Sequence, residues 1–140
     1  MVTEHQEDKL YFEYSATLRI FGEIVDLELI SKKLEIQPTK TITKGFKRSE
    51  SSKPSLYDMW FLESSKYISK EESLSLHLDY LWGEIREKVD SIKEYKNTLN
   101  VDIFCGYRSN CDNAGFEIDH NSLKIFEALE VPVSVSVIIA

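Results

Sequence analysis

Glycine is scarce in this chain, and the five glycines among its 140 residues are not clustered. A loop that holds phosphate needs glycines at close, fixed spacing, so no such motif is present. No serine lies in a nucleophile-elbow pattern, and the three histidines form no HExxH arrangement. The sequence therefore predicts no catalytic residues, no cofactor and no metal site.

Cysteine is also scarce, since Cys105 and Cys111 are the two in the chain. Their spacing matches no common zinc or redox signature, and a second pair of ligands is missing. A chain of this length buries enough surface to fold without disulfides or metal. We therefore expect a buried thiol on a strand at Cys105 and a loop thiol at Cys111.

Long apolar runs are absent from the sequence. No segment reaches the roughly 20 apolar residues that a membrane-spanning helix needs. The first residues lack the basic and apolar regions of a signal peptide. We expect a cytoplasmic protein with a flexible tail over residues 1–9 and a single domain over residues 10–140.

Positive charge is in deficit, with 17 Lys and Arg against 24 Asp and Glu and a formal net charge of −7. An acidic chain repels nucleic acid and anionic lipid, so nucleic acid and membrane are disfavoured as partners. The same charge favours a basic protein partner. The oligomeric state is left open by these patterns.

One segment departs from this acidity. Residues 40–53 contain five basic residues and a single acid, Glu50. A basic loop on an acidic body could contact phosphate or an acidic partner. Pairing with the acidic surface of the protein itself, or simple solvation, are the alternatives. The candidate binding residues in this loop are Lys44, Lys47, Arg48 and Lys53.

Apolar and polar residues alternate from Phe12 to Ile20, which predicts a strand with one buried face. Alternation over 101–107 and 131–139 predicts two more. The segment 56–62 is apolar on both faces and is expected at the centre of the sheet. Shorter extended segments are predicted over 39–43 and 116–118.

Helices are predicted where apolar residues recur at every third or fourth position, over 27–35, 70–92 and 119–129. Ser69 and Glu72 have the spacing of a capping box for the longest helix, and a bend is expected near 88–91. The order of elements predicts an α+β fold. We expect a two-layer sandwich, with a mostly antiparallel sheet, helices on one face and a ferredoxin-like core.

The leading functional hypothesis is a small non-enzymatic binding protein that acts through protein–protein contacts. In its concrete form the protein is immunity- or antitoxin-like and neutralises a basic toxin through Glu84, Glu87 and Asp90 or the turn 108–119. The alternative is an enzyme or small-ligand-binding domain whose site forms only in three dimensions. Its candidate pocket residues are Tyr57, Trp60, His77, Cys105 and Tyr107.

The order of several landmarks resembles that of a known family. The landmarks are Ile20-Phe-Gly-Glu23, Leu34-Glu-Ile36-Gln-Pro-Thr39, Lys44-Gly45, Trp60 and His77-Leu78. With a final helix that runs into an alternating strand, the chain resembles an uncharacterised bacterial family, the domain of unknown function numbered four-two-seven-nine. The resemblance implies a small, stand-alone bacterial cytoplasmic protein, and it brings no catalytic residues.

Overall fold

The computed structural model describes residues 9–140, so the prediction of a flexible tail falls almost wholly outside the described residues. Within the described range the strands form one five-stranded sheet of order β2-β3-β1-β4-β5. Each neighbouring pair is antiparallel except β4 with β5, which run parallel. The strands are β1 (Phe12–Gly22), β2 (Lys40–Ile42), β3 (Asp58–Glu63), β4 (Asn100–Ser109) and β5 (Val133–Ile139).

The helices contribute apolar side chains to a single core cluster on one side of the sheet. This arrangement confirms the α+β fold, while the ferredoxin-like core stays a prediction because β5 adds a parallel strand to the antiparallel ones. Over residues 9–140 the helices are α1 (Leu27–Leu34), α2 (Leu74–Ile85), α3 (Val89–Tyr95) and α4 (Lys124–Leu129).

The central strand β1 shows how the alternating pattern builds this core. Ala16, Leu18 and Ile20 are fully buried beneath the helices, since every second side chain of a strand lies on the same face. Trp60 of β3 is opposite Ile20 and is equally buried. Each large side chain of this kind stabilises the fold by roughly 1.5–3 kcal/mol.

The helix predicted over 70–92 is wrong in its start. It begins after Ser73, whose hydroxyl accepts a hydrogen bond from the Leu76 N–H at 3.2 Å, so the Ser69 capping box is also wrong. A 3-10 turn at Arg86–Lys88 then separates α2 from α3, close to the predicted bend.

The strand predicted over 116–118 is absent from the described chain. Phe116 instead packs its ring against Tyr14 and Tyr107, with centroids 6.5 and 5.2 Å away. These aromatic contacts, and not backbone pairing in the sheet, position residues 116–118.

A buried polar network joins α2 to the sheet. The His77 Nε2 lies 3.0 Å from the Ser69 carbonyl, which can only accept, so we assign the proton to Nε2. His77 Nδ1 then accepts from the Ser64 hydroxyl at 2.6 Å, and the Ser64 oxygen accepts from the Ala16 N–H at 2.9 Å. Every polar atom of this pair is satisfied, so the pair ties β1 to α2.

Two helices end at a glutamate with left-handed backbone geometry. Glu35 after α1 has φ 55° and Glu130 after α4 has φ 54°. The carboxylate of Glu35 is paired with Lys88, and that of Glu130 lies 3.0 Å from the Lys93 ammonium. The ends of α1 and α4 therefore each form an ion pair with the segment that contains α3 and the turn before it.

We expect His77 to make stability depend on pH. Burial lowers the pKa of His77 below its usual 6.5, so in mild acid the unfolded chain binds a proton that the folded chain does not. Stability is then lost as pH falls below the unfolded value. In urea titrations, the urea concentration at the unfolding midpoint should decrease as the pH is lowered from about 7 to about 5.5.

The matched variants for this test are His77→Gln and His120→Gln. Glutamine retains a donor and an acceptor but does not titrate, so His77→Gln should flatten the dependence. The His120 side chain is 88% exposed, so its variant should keep the dependence of the wild-type protein. A wild-type midpoint that is constant over this range would contradict the assignment.

Candidate functional site

The face of the sheet opposite the helices is the candidate site, and we call it the open face. The helices pack on the other face, so within residues 9–140 no helix lies over this one. Its side chains alternate along each strand with those of the core. They are Glu13, Ser15, Thr17, Arg19 and Phe21 of β1, Lys40 and Ile42 of β2, Met59, Phe61 and Glu63 of β3, Asp102, Phe104, Gly106 and Arg108 of β4, and Ser134, Ser136 and Ile138 of β5.

An ion pair lies at the centre of the open face. Arg19 donates two hydrogen bonds to Asp102, from Nε to Oδ1 at 2.8 Å and from a terminal nitrogen to Oδ2 at 2.6 Å. The Ser134 hydroxyl donates to the same carboxylate at 3.1 Å. Because Asp102 is only 7% exposed and the geometry is bidentate, this pair is a fixed part of the surface.

The guanidinium of Arg19 also contacts aromatic rings on the open face. Its central carbon lies 4.7 Å from the ring centroid of Phe104 and 5.5 Å from that of Phe21. Arginine stacks well on aromatic faces because the ring quadrupole attracts the charge. The result is a flat aromatic and cationic patch across neighbouring strands.

Three shallow clefts follow one another across the open face, with volumes of about 300, 230 and 270 Å³. The first and second share Ser15, Ser65 and Phe104. The second and third share Lys40. Because neighbouring clefts share lining residues, we treat the three together as the trough, which runs from Arg108 on β4 to the loop after β2.

The basic loop forms one end of the trough. Arg48 and Lys53 line the third cleft together with Lys40 and the ring of Phe46. Lys40, Arg48 and Lys53 make no ion pair with any residue that the structure describes. We call this end the basic cleft, and its charges are available to a ligand.

The other two predicted loop residues are placed differently. The backbone N–H of Lys44 donates to Asp58 Oδ1 at 2.7 Å, and that bond and one from the Val25 N–H lower the pKa of Asp58. Lys47 is exposed and does not line the basic cleft. Two of the four predicted binding residues are therefore brought together.

The five residues of the predicted pocket are spread over separate environments. Trp60 is buried and its Nε1–H donates to the Ser31 hydroxyl at 3.0 Å, while His77 is held in its own buried network. Tyr57 packs its ring against Phe21 of the open face. The structure does not bring the five together.

The remaining two pocket residues lie on the core side of β4. Burial, with a contribution from Asp102, raises the pKa of Cys105 to about 11, so this thiol is not ionised near neutral pH. Tyr107 is 3% exposed, packs its ring at a tilt against that of Tyr14, and borders the first cleft.

The acidic residues proposed for a basic toxin lie in the helix layer. Glu84, Glu87 and Asp90 are exposed on α2, the 3-10 turn and α3. In the turn 108–119, Asp112 and Glu117 are exposed as well. Glu84, Glu87 and Asp90 are therefore in a different layer from the trough, whereas Arg108 at the start of the turn borders it.

Sequence reasoning missed the residues that form the middle of the trough, namely Arg19, Lys40, Phe61 and Phe104. Phe61 and Phe104 stand at positions that alternate with core residues in their strands. Large aromatic side chains at such outward positions were the available signal, because a solvated sheet face is usually polar.

We expect Asp102→Ala to lower the free energy of unfolding by about 1.5–3 kcal/mol, the usual contribution of hydrogen bonds to a charged group. The cause is that Arg19 loses both of its bonds on the open face. Ser134→Ala removes one donor to the carboxylate and leaves both Arg19 bonds in place, so it should cost less than Asp102→Ala. Chemical denaturation measures both, and an Asp102→Ala variant as stable as the wild-type protein would refute the central role of the pair.

Comparison with known proteins identifies the family of this chain. Among residues 9–140 no helix has the length and apolar character needed to cross a membrane. No curated protein and no solved structure matches the chain. A family model described as a domain of unknown function, DUF4279, matches residues 12–139, which is nearly the whole chain and confirms the resemblance. The chain therefore belongs to the DUF4279 family.

Proposed function

We propose that this protein is a non-enzymatic binding protein that recognises a partner protein through the open face. The observation that carries the proposal is the trough, which joins an aromatic patch to unpaired basic side chains. Aromatic rings and arginine are the side chains that most often dominate binding energy at protein interfaces. The open face offers both on a rigid sheet.

The shape of the trough favours an extended protein segment as the ligand. Small-molecule sites are mostly concave and bury most of the ligand, whereas the three clefts are shallow and continuous. A peptide that lies across the strands would contact Phe104 and Phe61 in succession. Its end would reach the basic cleft.

The charge of the basic cleft favours a partner segment with carboxylates. Arg19 is already neutralised by Asp102, so the available charges are those of Lys40, Arg48 and Lys53. Carboxylates placed there gain charge-assisted hydrogen bonds without breaking an existing ion pair. The partner would be steered to this end although the whole chain is acidic.

An immunity- or antitoxin-like role is the second candidate. Exposed carboxylates on α2 and α3 support it, because Glu84 and Asp90 make no ion pair with any described residue. In this form the helix layer, and not the open face, meets a basic toxin. An enzyme or small-ligand-binding domain stays a less supported alternative, since its predicted residues are dispersed.

A place in the bacterial cytoplasm is part of the proposal. Cys105 and Cys111 are both free thiols, and disulfides are rare in that compartment. Neither thiol is needed for the proposed contact.

Affinity capture from a lysate of the native host tests which layer binds. One variant reverses the basic cleft (Lys40→Glu, Arg48→Glu, Lys53→Glu), and a matched variant reverses the helix layer (Glu84→Lys, Glu87→Lys, Asp90→Lys). All six side chains lie at the surface, so folding should be unaffected. We expect the wild-type protein and the helix-layer variant to capture the same partner protein from the lysate. The basic-cleft variant should not capture it.

Phe104→Ala checks the aromatic part of the trough on the captured partner. Loss of a central aromatic contact should weaken the affinity by about tenfold or more. A partner lost only with the helix-layer variant would favour the immunity-like role. A partner that binds both charge-reversal variants equally would rule out both surfaces.

A further inference from the structure

The outer strand β5 carries a row of exposed apolar side chains. Val133, Val135, Val137 and Ile139 are 49, 51, 56 and 47% exposed. They lie on the helix side of the sheet, because Val135 pairs with the buried Cys105 of β4. The helix layer thus ends short of β5, and the apolar face of this strand remains half in water.

Within residues 9–140, no segment outside the sheet forms a backbone hydrogen bond with the same four residues. The Pro132 carbonyl accepts from the Ile103 N–H at 3.2 Å, and the Ala140 N–H donates to the Ser109 carbonyl at 2.9 Å. The N–H and C=O groups of successive residues point to opposite sides of a strand, so those of the even-numbered residues of β5 point toward β4. The N–H and C=O groups of Val133, Val135, Val137 and Ile139 therefore point away from the sheet.

The two edges of the sheet differ in their protection against pairing. Exposed edges are usually kept short or carry charges, proline or bulges. The β2 edge has three residues and starts with Lys40. The β5 edge has seven residues, and no charged residue occurs from Val131 to Ala140. By its length and its lack of charge, the β5 edge is open to pairing with another strand.

We propose that β5 pairs antiparallel with β5 of a second copy of the chain. In the register that places Ser136 opposite Ser136, Val135 faces Val137 and Val133 faces Ile139. Each of the four outward-pointing residues then meets an outward-pointing residue and exchanges both backbone hydrogen bonds with it. The pairing is two-fold symmetric, as most homodimer interfaces are.

The charge distribution favours a second copy as the occupant. With a net charge of −7, two copies repel each other wherever their acidic surfaces meet. The stretch from Val131 to Ala140 is neutral, so contact along it brings no like charges into direct opposition. Every odd-numbered residue from Val133 to Ile139 is apolar, so an antiparallel copy sets these apolar side chains against one another.

The dimer would join the two open faces into one surface. Ile138 lies on the open face and lines the first cleft, and in the proposed register it stands opposite Ser134 of the second copy. The two troughs would then approach each other at the two-fold axis. The pairing does not depend on the proposed partner, because it uses a different edge of the structure from the basic cleft.

Sedimentation equilibrium of the full chain tests the proposal with a pair of charge variants. Val135→Lys with Val137→Lys sets like charges opposite each other across the axis, so the dissociation constant should rise by about tenfold or more. Val135→Glu with Val137→Lys sets opposite charges there and should restore dimerisation. Leu56→Lys, a change at a 70% exposed site elsewhere, should leave the dimer intact.

Hydrogen exchange of the wild-type protein gives a second readout that needs no variant. The amides of Val135 and Val137 should exchange slowly in the dimer, and exchange should accelerate on dilution. A wild-type chain that is monomeric at all concentrations overturns the proposal. So does a dilysine variant that dimerises like the wild-type protein, or a Glu–Lys variant that stays monomeric.

Discussion

A sheet covered by helices on one side must keep its other side stable in water, and the Arg19–Asp102 pair meets this constraint. The two charges lie flat on adjacent strands and satisfy each other. Because the guanidinium also contacts Phe104, the pair supports an aromatic ring that would otherwise be a loose apolar group at the surface. The trough depends on this arrangement, since Arg19 and Phe104 line its middle cleft.

Local patterns predicted much of the fold because burial on one face leaves a period-two signature. Alternation from Phe12 to Ile20 predicted β1, which ends at Gly22 as expected, whereas β3 was expected at the centre of the sheet and is an interior strand between β2 and β1. The longest helix was misjudged because Ser69 and Ser73 both have a plausible capping spacing. The choice is made by tertiary contact, since the Ser69 carbonyl is the partner of His77.

The candidate site was less accessible to sequence reasoning than the fold. Composition identified the basic loop, but backbone hydrogen bonds between its two arms, from Gly45 to Ser55 and from Ser55 to Phe46, fold it so that Arg48 and Lys53 line one cleft with Lys40. The same limit applies to β5, whose alternation predicts a strand with one apolar face. Whether that face is covered depends on how far the neighbouring helix layer extends, which no local pattern encodes.

The two glutamates with left-handed backbone geometry link the two outer strands to one segment of the chain. Glu35 follows the helix that leads into β2, and Glu130 follows the helix that leads into β5, so each stands just before an outer strand. Both are anchored by lysines, Lys88 and Lys93, of one short stretch of chain. Through these two ion pairs, one short stretch of chain contacts the residues that precede both outer strands.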